Sequence, residues 1–83
     1  MKVEFRESFL KGLRSVSDKN LLSKVQSAIE NAEQSETLQT ISKLKKLKGS
    51  KDYFRIRLDD YRIGLKFEND SVIFVSLLHR REI

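Results

Sequence analysis

The chain has 83 residues, no cysteine and a single histidine, which excludes disulfide staples, Cys-based zinc sites and multi-histidine metal clusters. With 39% hydrophobic and 35% charged residues, it is too apolar for a disordered chain and too charged for a membrane span. Its 17 basic residues outnumber 12 acidic ones, giving a formal charge of +5, a balance that favours an anionic partner without identifying one.

Residues 2–6, KVEFR, alternate polar and apolar and predict a short opening strand with Val3 and Phe5 on one side. Acids within MKVEFRESFLKGL and the lack of a small-residue cleavage site suit mature structure rather than a signal peptide, so a cytoplasmic protein is expected. Phe9, Leu10, Leu13 and Val16 recur at helical spacing, with Gly12 weakening the helix and Ser15 to Ser17 ending it. In DKNLLSKVQSAIENAEQ, Leu21, Leu22, Val25, Ala28, Ile29 and Ala32 form one apolar stripe of a longer helix. Ser17 or Asp18 can cap its first amides. The short polar link makes the two helices an antiparallel hairpin.

From Glu36 to Lys48 the pattern is mixed: Leu38, Ile41, Leu44 and Leu47 recur every three residues, which fits a helical turn or an ordered connector. Residues 53–58 and 61–67 alternate strictly around Asp59-Asp60, a tight hairpin turn. After a second turn at Asn69-Asp70, the apolar run VIFVSLLH (72–79) predicts an internal strand buried on both faces. The order is strand, helical hairpin, then a three-strand antiparallel meander, in a single domain over 1–83. The fold class is therefore α+β, with both helices on one face of the sheet.

Side chains alternate along a strand, so Phe54, Ile56 and Leu58 share one face while Tyr53, Arg55 and Arg57 share the other. Across the turn, Tyr61, Ile63, Leu65 and Phe67 face the helices, and Arg62, Gly64 and Lys66 take the open side. A solvated basic face and a phosphate-holding face both fit this pattern. Two details favour the second: arginine's rigid fork matches phosphate oxygens, and Gly64 leaves room for a ligand to approach the backbone. His79, Arg80 and Arg81 are expected beside these strands, where His79 is the only side chain that titrates near neutrality. Lys43, Lys45, Lys46 and Lys48 can extend the basic surface, with Lys51 at the entry to the hairpin.

The stretch LKKLKGSKDYFRIRLDDYRIGLKF, followed by an apolar strand and HRREI, resembles the RelE/ParE superfamily of bacterial type II toxins. Elements match in order along the whole chain, and the specific motifs fall within residues 44–83. The resemblance implies a compact RelE-like, microbial RNase-like fold. For the RelE branch it also implies cleavage of mRNA in the ribosomal A site. Arg55 and Arg57 match the family's basic strand residues, Arg62 the arginine after its Gly/Asp-Tyr step, and His79 the histidine opening its terminal motif. It further implies a cognate protein antitoxin as partner, operator DNA only through that antitoxin, no membrane and no cofactor. In the family an aromatic, usually Tyr, follows the position of Ile83, where this sequence stops; weakened cleavage is the expectation.

RNA cleavage without a metal needs a base for the 2′-hydroxyl proton, cations for the phosphorane and an acid for the 5′-oxygen. Arg55, Arg57 and Arg62 suit the middle role, and guanidinium is a poor proton donor. His79 is the candidate acid or base, with Glu82 the weaker alternative. Lys46, Lys48, Lys51, Tyr53, Lys66, Arg80 and Arg81 are candidate RNA contacts, and no metal site is expected. Three functions stay open: a ribosome-dependent endoribonuclease toxin, a ParE-like toxin that poisons DNA gyrase, and an inactive nucleic-acid-binding relative.

Overall fold

Alternation in the hairpin is realised as two antiparallel strands, β3 (Tyr53–Leu58) and β4 (Tyr61–Glu68), in a computed structural model that describes residues 1–82. The other strands are β1 (Lys2–Phe5), β2 (Leu44–Lys46) and β5 (Ser71–His79). The helices are α1 (Glu7–Arg14) and α2 (Lys19–Gln34), and single 3-10 turns span Leu38–Thr40 and Arg80–Glu82. Ile83 lies outside the described residues.

The strands form one sheet in the order β1-β5-β4-β3-β2, with β1 parallel to β5 and every other pair antiparallel. The expected meander is therefore extended at both edges. The segment after Glu36, left between helical turn and connector, supplies a 3-10 turn and then the edge strand β2. Turn geometry explains the hairpins: Asn69 (φ 51°) and Asp70 (φ 59°) both take left-handed backbone, the signature of a type I′ turn whose twist matches its strands. Asp59 (φ 54°) does the same alone in the β3–β4 turn.

Both helices cover one face. Phe9 of α1 is fully buried, its ring 5.3 Å from Phe74 and 5.8 Å from Phe5. Val25 and Ala32 of α2 join Ile56, Leu58, Ile63, Leu65, Val72 and Leu77 of the sheet in the same core. Burying such side chains stabilises by about 1.5–3 kcal/mol each, which is what holds a domain this small. Asp18 caps α2, accepting from the Asn20 and Leu21 amides at 2.9 and 3.3 Å. Asp18 is one of the two capping residues the sequence offered for α2, whereas α1 starts at Arg6 with no side-chain cap.

One irregularity shapes the site. Leu65 pairs with Phe74, but its neighbour Gly64 pairs with Ser76, so Val75 is the extra residue of a β-bulge. Such a bulge inverts the in–out parity of everything beyond it. Helix α1 fixes the bulge from the core side. Ser8 Oγ donates to the Val75 carbonyl, and a Cβ on Gly12 would stand 2.5 Å from the Leu77 carbonyl oxygen. Gly12 therefore weakens a helix in order to let it approach a strand backbone.

Candidate functional site

On the face away from the helices, cross-strand pairing sorts the side chains into rows. Arg57 of β3 pairs with Arg62 of β4, which pairs with Leu78 of β5. The next row runs Lys45, Arg55, Gly64, Ser76, and the third Tyr53, Lys66, Ile73, Glu4. Arginines at directly opposed positions repel unless something anionic sits between them. The Arg62 guanidinium is held below its usual range first by desolvation and then by Arg57, Arg55 and Arg80, with Asp60 opposing. Arg62 also donates from Nη1 to the carbonyls of Asp59 (3.2 Å) and Tyr61 (3.0 Å), which anchors it beside the turn.

Beside this cluster, an open groove of about 480 Å³ is lined by Lys43, Lys45, Arg55, Arg57 and Asp59. Four cations and one carboxylate make it an anion-attracting channel along the β2–β3 edge. Lys24 of α2 bonds Asp59, which occupies the groove's single acid with a partner outside it. Tyr53 is 40% exposed, with Lys66 Nζ 5.6 Å from its ring centroid. That pair offers a cation and an aromatic surface on the same side as the arginines.

The structure thus brings together Arg55, Arg57, Arg62, Tyr53 and Lys66 from the expected set. Arg80 joins them from the C-terminal turn: its amide donates to the Asp60 carbonyl at 2.7 Å, and its Nε lies 3.6 Å from Asp60 Oδ1. Arg81 is exposed, its amide donating to His79 Nδ1 at 3.2 Å. Lys48 and Lys51 stand exposed in the β2–β3 loop, outside the groove.

Two expected placements are corrected. His79 pairs with Tyr61, not with the arginines, and its ring meets the Tyr61 ring edge-on at 5.1 Å. The bulge at Val75 is the reason: without the extra residue, His79 would share the face of Arg62, and with it His79 lands on the face of Ile63 and Leu77. Glu82, through Oε1, accepts the His79 amide, so it too is engaged at this end of the strand. Lys46 pairs with Phe54 and lines a different hollow with Leu38, Ile41 and Leu44. Its neighbour Lys45 takes the open face instead. Sequence parity in β2 had no anchor until its partner strand was known, which is why Lys43 and Lys45 stand in the groove and Lys46 does not.

A helical hairpin on one face of a five-stranded sheet, with arginines from three segments gathered on the other side, defines a small α+β protein with one strongly cationic surface. A family model described as "ParE toxin of type II toxin-antitoxin system, parDE" matches residues 3–83. The chain is 37% identical to Toxin RelE3 of Methanocaldococcus jannaschii over 84 aligned positions, covering all of this chain and 94% of that protein. The toxin chain of a RelB-RelE antitoxin-toxin complex from Methanococcus jannaschii superposes with a TM-score of 0.82 at 32% identity, covering 95% of this chain and 92% of that one. The intact Escherichia coli RelBE complex shares the fold, with a TM-score of 0.71 at 20% identity over 92% of each chain. The chain belongs to the ParE toxin family of type II toxin–antitoxin systems, within the RelE/ParE superfamily, and is a RelE-like toxin. The family and fold implied by residues 44–83 are borne out.

Proposed function

We propose that this toxin is an endoribonuclease that cuts mRNA on the ribosome, using the arginine face as its transition-state cradle. The observation that carries the reading is the convergence of Arg55, Arg57 and Arg62 on one open face of the β3–β4 hairpin, with Arg80 beside them at the Asp60 turn. Cations that outnumber the carboxylates beside them, here Asp59 and Asp60, are preorganised for a further anion. In the reaction, a ribose 2′-hydroxyl gives its proton to water as its oxygen attacks the adjacent phosphorus, the P–O5′ bond breaks, and the departing 5′-oxygen takes a proton from water, leaving a 2′,3′-cyclic phosphate and a 5′-hydroxyl. Charge on the non-bridging oxygens peaks in the phosphorane, where bidentate guanidinium contacts count most. Arg57 and Arg62, directly opposed across two strands, are assigned to those oxygens. Arg55, Lys45 and Lys43 hold flanking phosphates along the groove, and Tyr53 with Lys66 receives a base. With His79 beside Tyr61, catalysis by this face is chiefly electrostatic.

The cognate partner in this reading is a protein antitoxin, as for the solved RelB-RelE complexes. An acidic segment laid over the arginines would neutralise both their charge and their access. Among the described residues no helix is long and apolar enough to cross a membrane, and the cytoplasm, where mRNA is translated, is the assigned compartment.

The test adds purified chain to a translating extract and maps message ends. Cuts within the translated frame, ending in cyclic phosphate, are expected. The family model's ParE description supports a second reading, poisoning of DNA gyrase. Intact message together with lost gyrase supercoiling would replace the first reading by the second.

A further inference from the structure

The middle row of the open face holds a feature that charge alone does not account for. Gly64 lies between Arg55 and Ser76 across the sheet. A Cβ built on Gly64 would stand 2.6 Å from Ser76 Oγ, so the serine hydroxyl occupies the space the missing side chain leaves. Ser76 is half-buried, and its hydroxyl makes no hydrogen bond with the described residues. The other serine hydroxyls tied into the fold, those of Ser8, Ser15, Ser35 and Ser50, each bond backbone within it.

Several independent features fix where this hydroxyl points. The bulge at Val75 sets Ser76, rather than its neighbour, on the open face. Ser8 holds the Val75 carbonyl and Gly12 lies against the Leu77 carbonyl, so α1 brackets Ser76 from beneath. On the open side, the adjoining rows carry Arg57 and Arg62 on one flank and Tyr53 and Lys66 on the other. Neighbouring strands lie about 4.8 Å apart, which puts the hydroxyl one strand from Arg62 and Lys66. The polar side chains that share its row, Lys45 and Arg55, and those of the Arg57–Arg62 row are cations and can only donate, whereas Tyr53 and Glu4 belong to the row beyond.

From this we infer that Ser76 is a positioning residue for RNA, its hydroxyl pairing with the ribose 2′-hydroxyl of a nucleotide next to the scissile one. The inference rests on the nuclease reading and deepens it. A hydroxyl that both donates and accepts complements another hydroxyl, and the 2′-hydroxyl is the group by which a protein separates RNA from DNA. Arginine and lysine at this spot would hold either backbone equally. Ser76 makes the face selective for RNA.

A double-mutant cycle between protein and substrate tests the assignment. Single-turnover cleavage is measured on mRNA-programmed ribosomes with wild-type and Ser76→Ala toxin. Each is tested on message with ribose throughout, and on message with a single 2′-deoxy substitution at a nucleotide flanking the scissile one. Ser76→Ala is expected to slow cleavage about five-fold, the size of one hydrogen bond. At one flanking position the deoxy substitution should slow wild type by a similar factor and Ser76→Ala no further. Gly64→Ala, which pushes the hydroxyl aside, should reproduce the Ser76→Ala phenotype with the fold retained by circular dichroism. Multiplicative losses at every flanking position, or no loss with Ser76→Ala, would overturn the inference and leave the nuclease reading standing. No cleavage by wild type would remove both, and that result is distinct.

Discussion

Replacing Gly12 by alanine tests how α1 is seated against β5. In an isolated helix the change would stabilise by about 1 kcal/mol, because glycine is the poorest ordinary helix former. Here the new Cβ would stand 2.5 Å from the Leu77 carbonyl oxygen and 3.3 Å from the Leu77 Cβ. A backbone oxygen in a sheet cannot swing away as a side-chain tip can, so the helix must lift. Overpacking of this kind costs about 1–3 kcal/mol, and the clash outweighs the propensity gain by about 1 kcal/mol at mid-range. For a domain this size that lowers the unfolding midpoint by about 4–8 °C. Thermal melts followed by circular dichroism, with a urea series to check that the m-value is unchanged, measure it. A midpoint raised by several degrees would refute the reasoning, because it would mean that propensity decides and that α1 does not press on β5.

Four further outcomes follow from the same geometry. Arg62→Lys keeps the charge but loses the fork, so message cleavage should fall at least ten-fold, and Arg62→Ala about a hundred-fold or more, by gel quantification. His79→Ala should lose about 1 kcal/mol of stability with its Tyr61 contact and its bond from the Arg81 amide, while cleavage falls no more than about three-fold; a hundred-fold loss would restore His79 to the chemistry. Lys45→Ala should weaken binding of a single-stranded oligonucleotide at low salt and flatten its salt dependence, and Lys46→Ala should do neither, as anisotropy titrations can show. Sulfate should raise the wild-type melting midpoint by about 8 °C more than that of an Arg57→Ala/Arg62→Ala variant at ten times its dissociation constant; equal shifts would mean that the arginines hold no anion.

Period two was enough to place Arg55, Arg57, Arg62, Gly64 and Lys66 on one open face, because strict alternation in a hairpin leaves a single consistent parity. The helices were equally legible, since their apolar stripes and the Asp18 cap are local signals. What the sequence could not show depended on pairing. Leu38, Ile41, Leu44 and Leu47 share a spacing of three across a 3-10 turn and a three-residue strand, with Lys43 (φ 64°) breaking the backbone between them. That hid β2 and left Lys43, Lys45, Lys46 and Lys48 undivided, where pairing puts Lys45 on the open face and Lys46 off it. His79 was read correctly as the end of the last strand, but the face it takes was not legible, since no letter in VIFVSLLH marks Val75 as the extra residue. Ser8 and Gly12, which meet the carbonyls on either side of Ser76, are more than sixty positions away in the chain, beyond any local pattern. The parallel pairing of β1 with β5 is of the same kind.

The central claim is that Arg57 and Arg62 together cradle a reacting phosphate, and single-turnover cleavage of ribosome-bound message by wild-type and Arg57→Ala/Arg62→Ala toxin tests it most directly. The account predicts in-frame cuts by the wild type and a loss of at least a thousand-fold in the double variant, with the two proteins melting alike. Equal rates for both proteins, or no cuts by either, would contradict it.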